Sequence, residues 1–171
     1  MKPTLPVHLN FAQKAKNGFE IRGKWPIKQL NRLNDHLLSD QGDIEADLKF
    51  DRAGPIPFIR GNIKAELVLK CQRCMQSMPY SIEADFKLGL VQNEDQADRL
   101  PDEYEPYLVE DDNNHLPDML EDELLLALPL VAMHDFECSE YLKDQTPEHE
   151  EEVVEETEKK DNPFSVLKDL L

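Results

Sequence analysis

The sequence predicts an α+β fold: an antiparallel β-meander forms a curved sheet, two or more helices flank it, and a flexible acidic C-terminal tail follows. Three features support this prediction, namely three segments that alternate apolar and polar residues, short connections between them, and two segments with helical apolar spacing. We expect residues 1–143 to form a single domain, residues 144–161 a disordered acidic linker and residues 162–171 a short amphipathic helix.

The strands are predicted from a hydrophobic period of two, which places apolar side chains on one face and polar ones on the other. The connections 52–57 (RAGPIP) and 71–79 (CQRCMQSMP) are short and rich in turn formers, so consecutive strands should pair antiparallel. The three long strands are expected at 44–51, 59–69 and 80–90, and shorter ones around 19–21 and 107–109.

Two helices are predicted from apolar spacing of three and four residues. The first begins at Pro26 and presents Ile27, Leu30, Leu33 and Leu37 on one face. The second runs over 117–128, with acidic residues at its start and a proline at 129 that stops it.

Net charge is distributed very unevenly. The whole chain has a formal charge of −17, but residues 1–80 carry 13 basic and 8 acidic residues, and residues 81–171 carry 6 basic and 28 acidic ones. Such a balance excludes a protein that coats nucleic acid mainly by neutralising phosphates. Residues 144–161 lack aromatic residues and cannot bury enough apolar surface to order themselves.

The C-terminal residues differ from the linker before them. Asn162 can cap a helix with Pro163 at its first position. Such a helix either docks into a groove of a partner or folds back on its own domain. Its apolar face would consist of Phe164, Leu167, Leu170 and Leu171.

Several functional classes lack sequence support. The longest apolar run, 124–133, is far shorter than the roughly 20 residues of a membrane span, and the N-terminal residues do not resemble a secretory signal. No nucleophile elbow, phosphate-binding loop or other catalytic constellation is present, so we predict no enzymatic activity. Three cysteines, two of them spaced C-x-x-C, fit a reducing compartment, and we predict a cytoplasmic protein.

Cys71 and Cys74 form a C-x-x-C turn, and His134 and Cys138 follow much later with H-x-x-x-C spacing. Together these four side chains could complete a tetrahedral zinc site if folding brings them together. Two other interpretations stay open: a redox dithiol, and plain turn or buried thiols without a cofactor.

The basic residues of the first half offer a second candidate surface. It could contact RNA phosphate, although ordinary solvated positive charge is the default interpretation. Its candidate members on the second long strand and its turn are Arg60, Lys64, Lys70 and Arg73.

Three motifs resemble one family. They are VLKCQRCMQSM, LPDEYEPYLVEDDNNHLPDMLEDELLLALPLVAMH and the terminal NPFSVLKDLL. In these the chain resembles the YceD family, described as large ribosomal RNA subunit accumulation proteins. The resemblance implies a cytoplasmic factor in the synthesis or maturation of the large subunit. It supplies no catalytic residues. Many relatives carry a second cysteine cluster after the LALP helix, which implies zinc binding in those members, whereas this chain keeps only His134 and Cys138 there.

We therefore predict a non-enzymatic ribosome-biogenesis factor that acts through protein or ribonucleoprotein contacts. The expected partners are ribosomal proteins or the pre-ribosomal large subunit, with ribosomal RNA contacted through the basic part of the chain. The alternatives are an RNA-processing enzyme, and an acidic nucleic-acid mimic that binds a nuclease or a ribosomal protein.

Overall fold

The computed structural model of the chain describes residues 3–109 and 112–138. The predicted linker 144–161 and C-terminal helix 162–171 lie outside these residues. The helices are α1 (Phe11–Lys16), α2 (Asn31–Asn34), α3 (Glu94–Ala97) and α4 (Leu116–Ala127), and a 3₁₀ turn spans Ile27–Gln29. The strands are β1 (His8–Leu9), β2 (Glu20–Pro26), β3 (Leu37–Ser39), β4 (Asp43–Ala53), β5 (Ile56–Lys70), β6 (Ser77–Val91), β7 (Glu105–Leu108) and β8 (Asn114–His115).

An antiparallel meander of β4, β5 and β6 forms the centre of a six-stranded sheet in which five strands follow the order β2-β4-β5-β6-β7 and the sixth, β3, lies off this path. The predicted α+β fold is confirmed. Strand β7 pairs with β6 in parallel, and the short β3 pairs with β5 beyond the end of β4. A separate two-stranded sheet joins β1 to β8.

The two faces of the meander have different environments, as the period of two predicts. One face is buried beneath α1, which packs on β4 and β5, and α4, which packs on β6. The other face carries charged residues in cross-strand pairs, such as Lys64 of β5 opposite Glu83 of β6. The apolar side chains of the covered face join one core cluster with those of α1 and α4.

Gly61 explains how the sheet accommodates a large ring in that core. Gly61 of β5 lies opposite Phe86 of β6, and a Cβ added at Gly61 would come within 2.0 Å of Phe86 Cζ. The aromatic ring therefore occupies the space that any other residue at position 61 would need.

The predicted helix at 26–37 is wrong in its extent. The segment forms a 3₁₀ turn and the four-residue α2, and Leu37 already belongs to strand β3. The backbone leaves the helical region at Leu30, which has φ −102° and ψ 89°. Leu37 faces Leu69 in the sheet, so strand pairing prevails over the helical spacing.

Helix α4 confirms the second predicted helix. It runs over Leu116–Ala127 with a proline in its first turn, and it buries most of its apolar residues. Leu128 has an extended backbone (ψ 145°), and Pro129 follows it. None of the helices in the described part of the chain has the length and apolar character needed to cross a membrane.

Candidate metal centre

The turn between β5 and β6 presents two cysteines to the interior. The backbone N–H of Met75 donates to the Cys71 carbonyl at 2.9 Å, and the N–H of Cys71 donates to the Gln76 carbonyl at 2.9 Å. Met75 closes the turn with a positive φ of 63°. The side chains of Cys71 and Cys74 are both buried as free thiols.

The segment after α4 supplies the other two residues. Beyond α4 and Pro129, the chain crosses to the β5–β6 turn, where the N–H of Gln72 donates to the Ala132 carbonyl at 2.8 Å. His134 and Cys138 then lie against the turn, although His134 is 60 positions from Cys74 in sequence. The tertiary approach that the sequence left open is therefore present.

The four side chains form a compact set. Their ligand atoms all lie within 4.8 Å of one another, with Cys71 Sγ 3.8 Å from Cys138 Sγ and Cys74 Sγ 3.5 Å from His134 Nδ1. A tetrahedral zinc site with metal–sulfur bonds of about 2.3 Å would separate its sulfurs by about 3.8 Å, and a sulfur from a nitrogen by about 3.6 Å. The Cys71–Cys138 and Cys74–His134 distances match these edges.

Hydrogen bonds around the cluster orient the imidazole. His134 Nε2 lies 3.2 Å from the Ser77 carbonyl oxygen, a contact in which the ring nitrogen donates. With a proton on Nε2, a neutral ring would present the lone pair of Nδ1 on the side of Cys74. Metal-binding histidines are commonly held in this way. The hydrogen bond with Cys138 raises the pKa of His134 above its usual value. Phe136 also packs on the imidazole, with ring centroids 4.7 Å apart.

The thiols differ in their ionisation. Burial raises the pKa of Cys71, but hydrogen bonds from the backbone N–H groups of Cys74, His134 and Arg73 outweigh it and lower that pKa to about 5. For Cys138, burial raises the pKa, but the hydrogen bonds from Arg73, His134 and Cys74 together outweigh it and lower that pKa, whereas burial raises the pKa of Cys74. Two of the three cysteines, Cys71 and Cys138, thus favour the thiolate, the form that binds metals.

The redox interpretation of the C-x-x-C motif receives little support from the local structure. Cys71 and Cys74 lie in a strand-to-strand turn, away from the helix N-terminus that lowers a thiol pKa in typical dithiol motifs. In addition, Cys138 Sγ lies 3.8 Å from Cys71 Sγ, a separation that fits two ligands of one zinc ion. This third sulfur favours a metal site over a dithiol pair.

The basic candidates separate into two groups. Arg60, Lys64 and Lys70 are exposed on the charged face of β5, and Lys64 Nζ lies 2.6 Å from a Glu83 carboxylate oxygen. Arg73 is engaged in the cysteine cluster, where its Nε donates to Cys138 Sγ at 3.0 Å. The terminal candidates Phe164, Leu167, Leu170 and Leu171 lie outside the described residues.

A surface near the cluster was not predicted from the sequence. Several large apolar side chains of the segment after α4 are exposed, including Leu130 at 98%, and the exposed Met75 lies at the tip of the turn that this segment contacts. The only sequence signal is the apolar run that continues past Pro129 without helical spacing. We call these residues the apolar rim: Met75, Leu130, Val131, Met133 and Phe136.

A cavity at the opposite end of β5 offers no catalytic constellation. Its volume is about 450 Å³, and its lining includes Pro55, Leu90 and Gln96, with Arg99 as its charged member. General acid–base catalysis needs a titratable pair in such a cleft, and this lining does not provide one.

Comparisons with known proteins agree with one another. A family model described as "Large ribosomal RNA subunit accumulation protein YceD" matches residues 59–171. A protein of that name from Haemophilus influenzae is 34% identical over 173 residues, which cover 99% of this chain and 97% of the relative. No solved structure gives a significant match.

Proposed function

The chain belongs to the YceD family, and from this premise we propose that it promotes the accumulation of large-subunit ribosomal RNA as a non-enzymatic factor in ribosome biogenesis. Its action takes place in the cytoplasm, where a reducing milieu keeps the three cysteines available as metal ligands.

The Cys₃His cluster is the observation that carries the proposed mode of action. Cys71, Cys74, His134 and Cys138 would hold a zinc ion, and their spacing and second-sphere hydrogen bonds fit it. Four protein ligands complete a tetrahedron and leave no position for water or substrate, which is the pattern of structural sites. The ion would fix the segment after α4 to the β5–β6 turn.

The apolar rim supports action through protein contacts. Exposed apolar patches commonly mark interaction sites in soluble proteins, and the rim places five exposed apolar side chains on the β5–β6 turn and the segment that contacts it. The rim lies on the two segments that the metal would join, so the centre would also shape this surface. We propose that it docks onto a basic ribosomal protein of the precursor large subunit, because the formal charge of −17 complements such a partner.

Elemental analysis tests the metal centre directly. Protein purified without chelators should contain about one zinc ion per chain, and Cys74→Ser should lose it and destabilise the domain, because structural zinc binding is coupled to folding. Gln72→Ser introduces the same residue into the same turn without removing a ligand and should retain the metal. Zinc-free wild-type protein would rule the centre out.

Complementation tests the function. Cells that lack the protein should accumulate less large-subunit than small-subunit ribosomal RNA, and the wild-type chain should restore the ratio. Leu130→Ser with Val131→Ser should fail to restore it while folding normally, whereas Leu108→Ser, which alters an exposed leucine of β7 at the end of β6 opposite the β5–β6 turn, should succeed. An unchanged ratio in the deletion strain would contradict the proposal.

A second complementation experiment tests whether the basic face of β5 contributes to the function. Reversal of Arg60, Lys64 and Lys70 to Glu should impair rescue if this face also contacts the ribonucleoprotein, since reversal replaces attraction with repulsion.

Loss of rescue by a single carboxylate change in a folded protein would instead favour an enzyme. Absence of RNA binding at every salt concentration, with tight binding to a nuclease, would favour an acidic mimic.

A further inference from the structure

We propose that Arg73 is the positioning residue of the metal centre, holding residues 134–138 in the coordinating conformation and balancing the charge of the bound thiolates. This inference rests on the proposed zinc site.

The contacts of Arg73 reach every second residue of the ligand-bearing segment. Its Nε donates to Cys138 Sγ at 3.0 Å, and one terminal nitrogen donates to the His134 carbonyl at 3.1 Å and to the Phe136 carbonyl. Its other terminal nitrogen lies 3.6 Å from a Glu137 carboxylate oxygen at the exposed edge. One guanidinium thus contacts both ligands of this segment and the residues between them.

The segment needs such a clamp because it lacks regular structure. Residues 130–138 contain neither helix nor strand, so repeating backbone hydrogen bonds do not hold them. Before the metal binds, such a segment would sample many conformations, and ordering it would reduce the affinity for the ion. The fork of Arg73 bonds two carbonyls and one thiolate in a fixed plane and removes part of this cost.

Charge provides a second reason for an arginine at this position. Three thiolates and one divalent zinc ion leave a net charge of −1 among side chains that are almost completely buried. The guanidinium, in hydrogen-bonding contact with one of these sulfurs, partly compensates that charge. Lysine would keep the charge but lacks the planar donor geometry.

Metal affinity of the full-length chain tests this role. We would compare wild-type protein, Arg73→Lys and Arg73→Ala by competition for zinc with a chelator of known affinity. Arg73→Ala should bind zinc about 10–100-fold more weakly, as typical second-sphere substitutions do. Arg73→Lys should show a smaller loss because it retains the charge. Lys70→Ala removes an exposed cation from the end of the adjacent strand and should leave the affinity unchanged.

Cobalt substitution separates positioning from a general loss of stability. The thiolate-to-cobalt charge-transfer band should shift in both Arg73 variants, because the hydrogen bond to Cys138 Sγ changes the electron density of that sulfur, and should remain in place in Lys70→Ala. Affinities within twofold of wild type and unshifted bands in both Arg73 variants would overturn only the role of Arg73. Wild-type protein that takes up neither zinc nor cobalt would overturn the metal centre itself.

Discussion

Glu123 is a buried carboxyl group whose ionisation opposes folding. It lies on α4 with 8% of its surface exposed; burial, and then repulsion from Glu105 and Asp122, raise its pKa from 4.5 to about 7. Because the native state holds this proton more tightly than the unfolded state, its stabilising contribution is complete below pH 4.5 and is lost as the pH rises through about 7. The free energy of unfolding should therefore fall as the pH rises through about 7, because Glu123 then loses its proton in the native state.

Glu123→Gln tests this linkage. The variant should be more stable than wild type at pH 8, by roughly 1–3 kcal/mol, and the difference should vanish towards pH 4.5. Urea unfolding at a series of pH values measures it. Glu94→Gln, which alters an exposed carboxylate of α3, should give a curve parallel to that of wild type. A constant difference between Glu123→Gln and wild type across the pH range would contradict the assignment.

At the same scale, the sequence predicted the metal-ligating candidates but not the environment of Arg73. Residue type and spacing identify Cys71, Cys74, His134 and Cys138, because thiols and imidazole are chemically distinctive. A cation in a turn carries no comparable signal. Its position in the sequence makes Arg73 a candidate for a partner-binding surface, and its contacts to His134 and Cys138 arise only when the segment after α4 folds back.

Among the elements, the long strands were the most predictable and the short elements the least. Strands β4, β5 and β6 each extend over more than ten residues, so their alternation is unambiguous. The segment 26–37 shows helical spacing, yet its last apolar residue pairs in the sheet with β5. The strand conformation of Leu37 depends on its pairing with β5, which is distant in sequence, so the local spacing of apolar residues does not predict it.

The junction of α2 and α4 depends on one buried carboxylate. Glu121 of α4 accepts a hydrogen bond from the Leu33 backbone N–H at 3.0 Å and another from Arg32 Nε at 2.9 Å. Glu121→Ala would leave the buried N–H unsatisfied and should destabilise the domain by about 2–4 kcal/mol. Glu121→Gln keeps one acceptor oxygen and should cost less.

Equilibrium unfolding in urea distinguishes these variants. Asp122→Asn alters the more exposed partner of Arg32 and should cost less than about 1 kcal/mol, since exposed ion pairs contribute little. Equal losses for Glu121→Ala and Asp122→Asn would show that the bond to the Leu33 N–H does not hold the two helices together.

For the whole molecule, the structure changes the interpretation of the charge imbalance. Residues 1–80 carry a net charge of +5, but many of their cations form ion pairs across the sheet. Examples are Lys24 with Glu45 at 3.0 Å, Arg22 with Asp47 at 2.8 Å and Lys64 with Glu83 at 2.6 Å. The positive charge of the sheet is therefore partly compensated internally. This compensation favours a basic protein partner over extensive phosphate contact.

The tail should be separable from the folded body, since residues 144–161 carry almost no apolar side chains with which to pack and all four candidate ligands precede them. A chain truncated after residue 143 should therefore keep its metal and unfold within about 0.5 kcal/mol of the full-length protein, as changes away from packed features do. It should nevertheless fail to restore the ribosomal RNA ratio in deletion cells, because it lacks the acidic linker and the apolar residues that we predict to engage a partner. Denaturant unfolding, elemental analysis and complementation measure the three properties on the same protein. A loss of several kcal/mol, the scale of deleting a buried phenylalanine, would show instead that Phe164 and its neighbours pack against the domain.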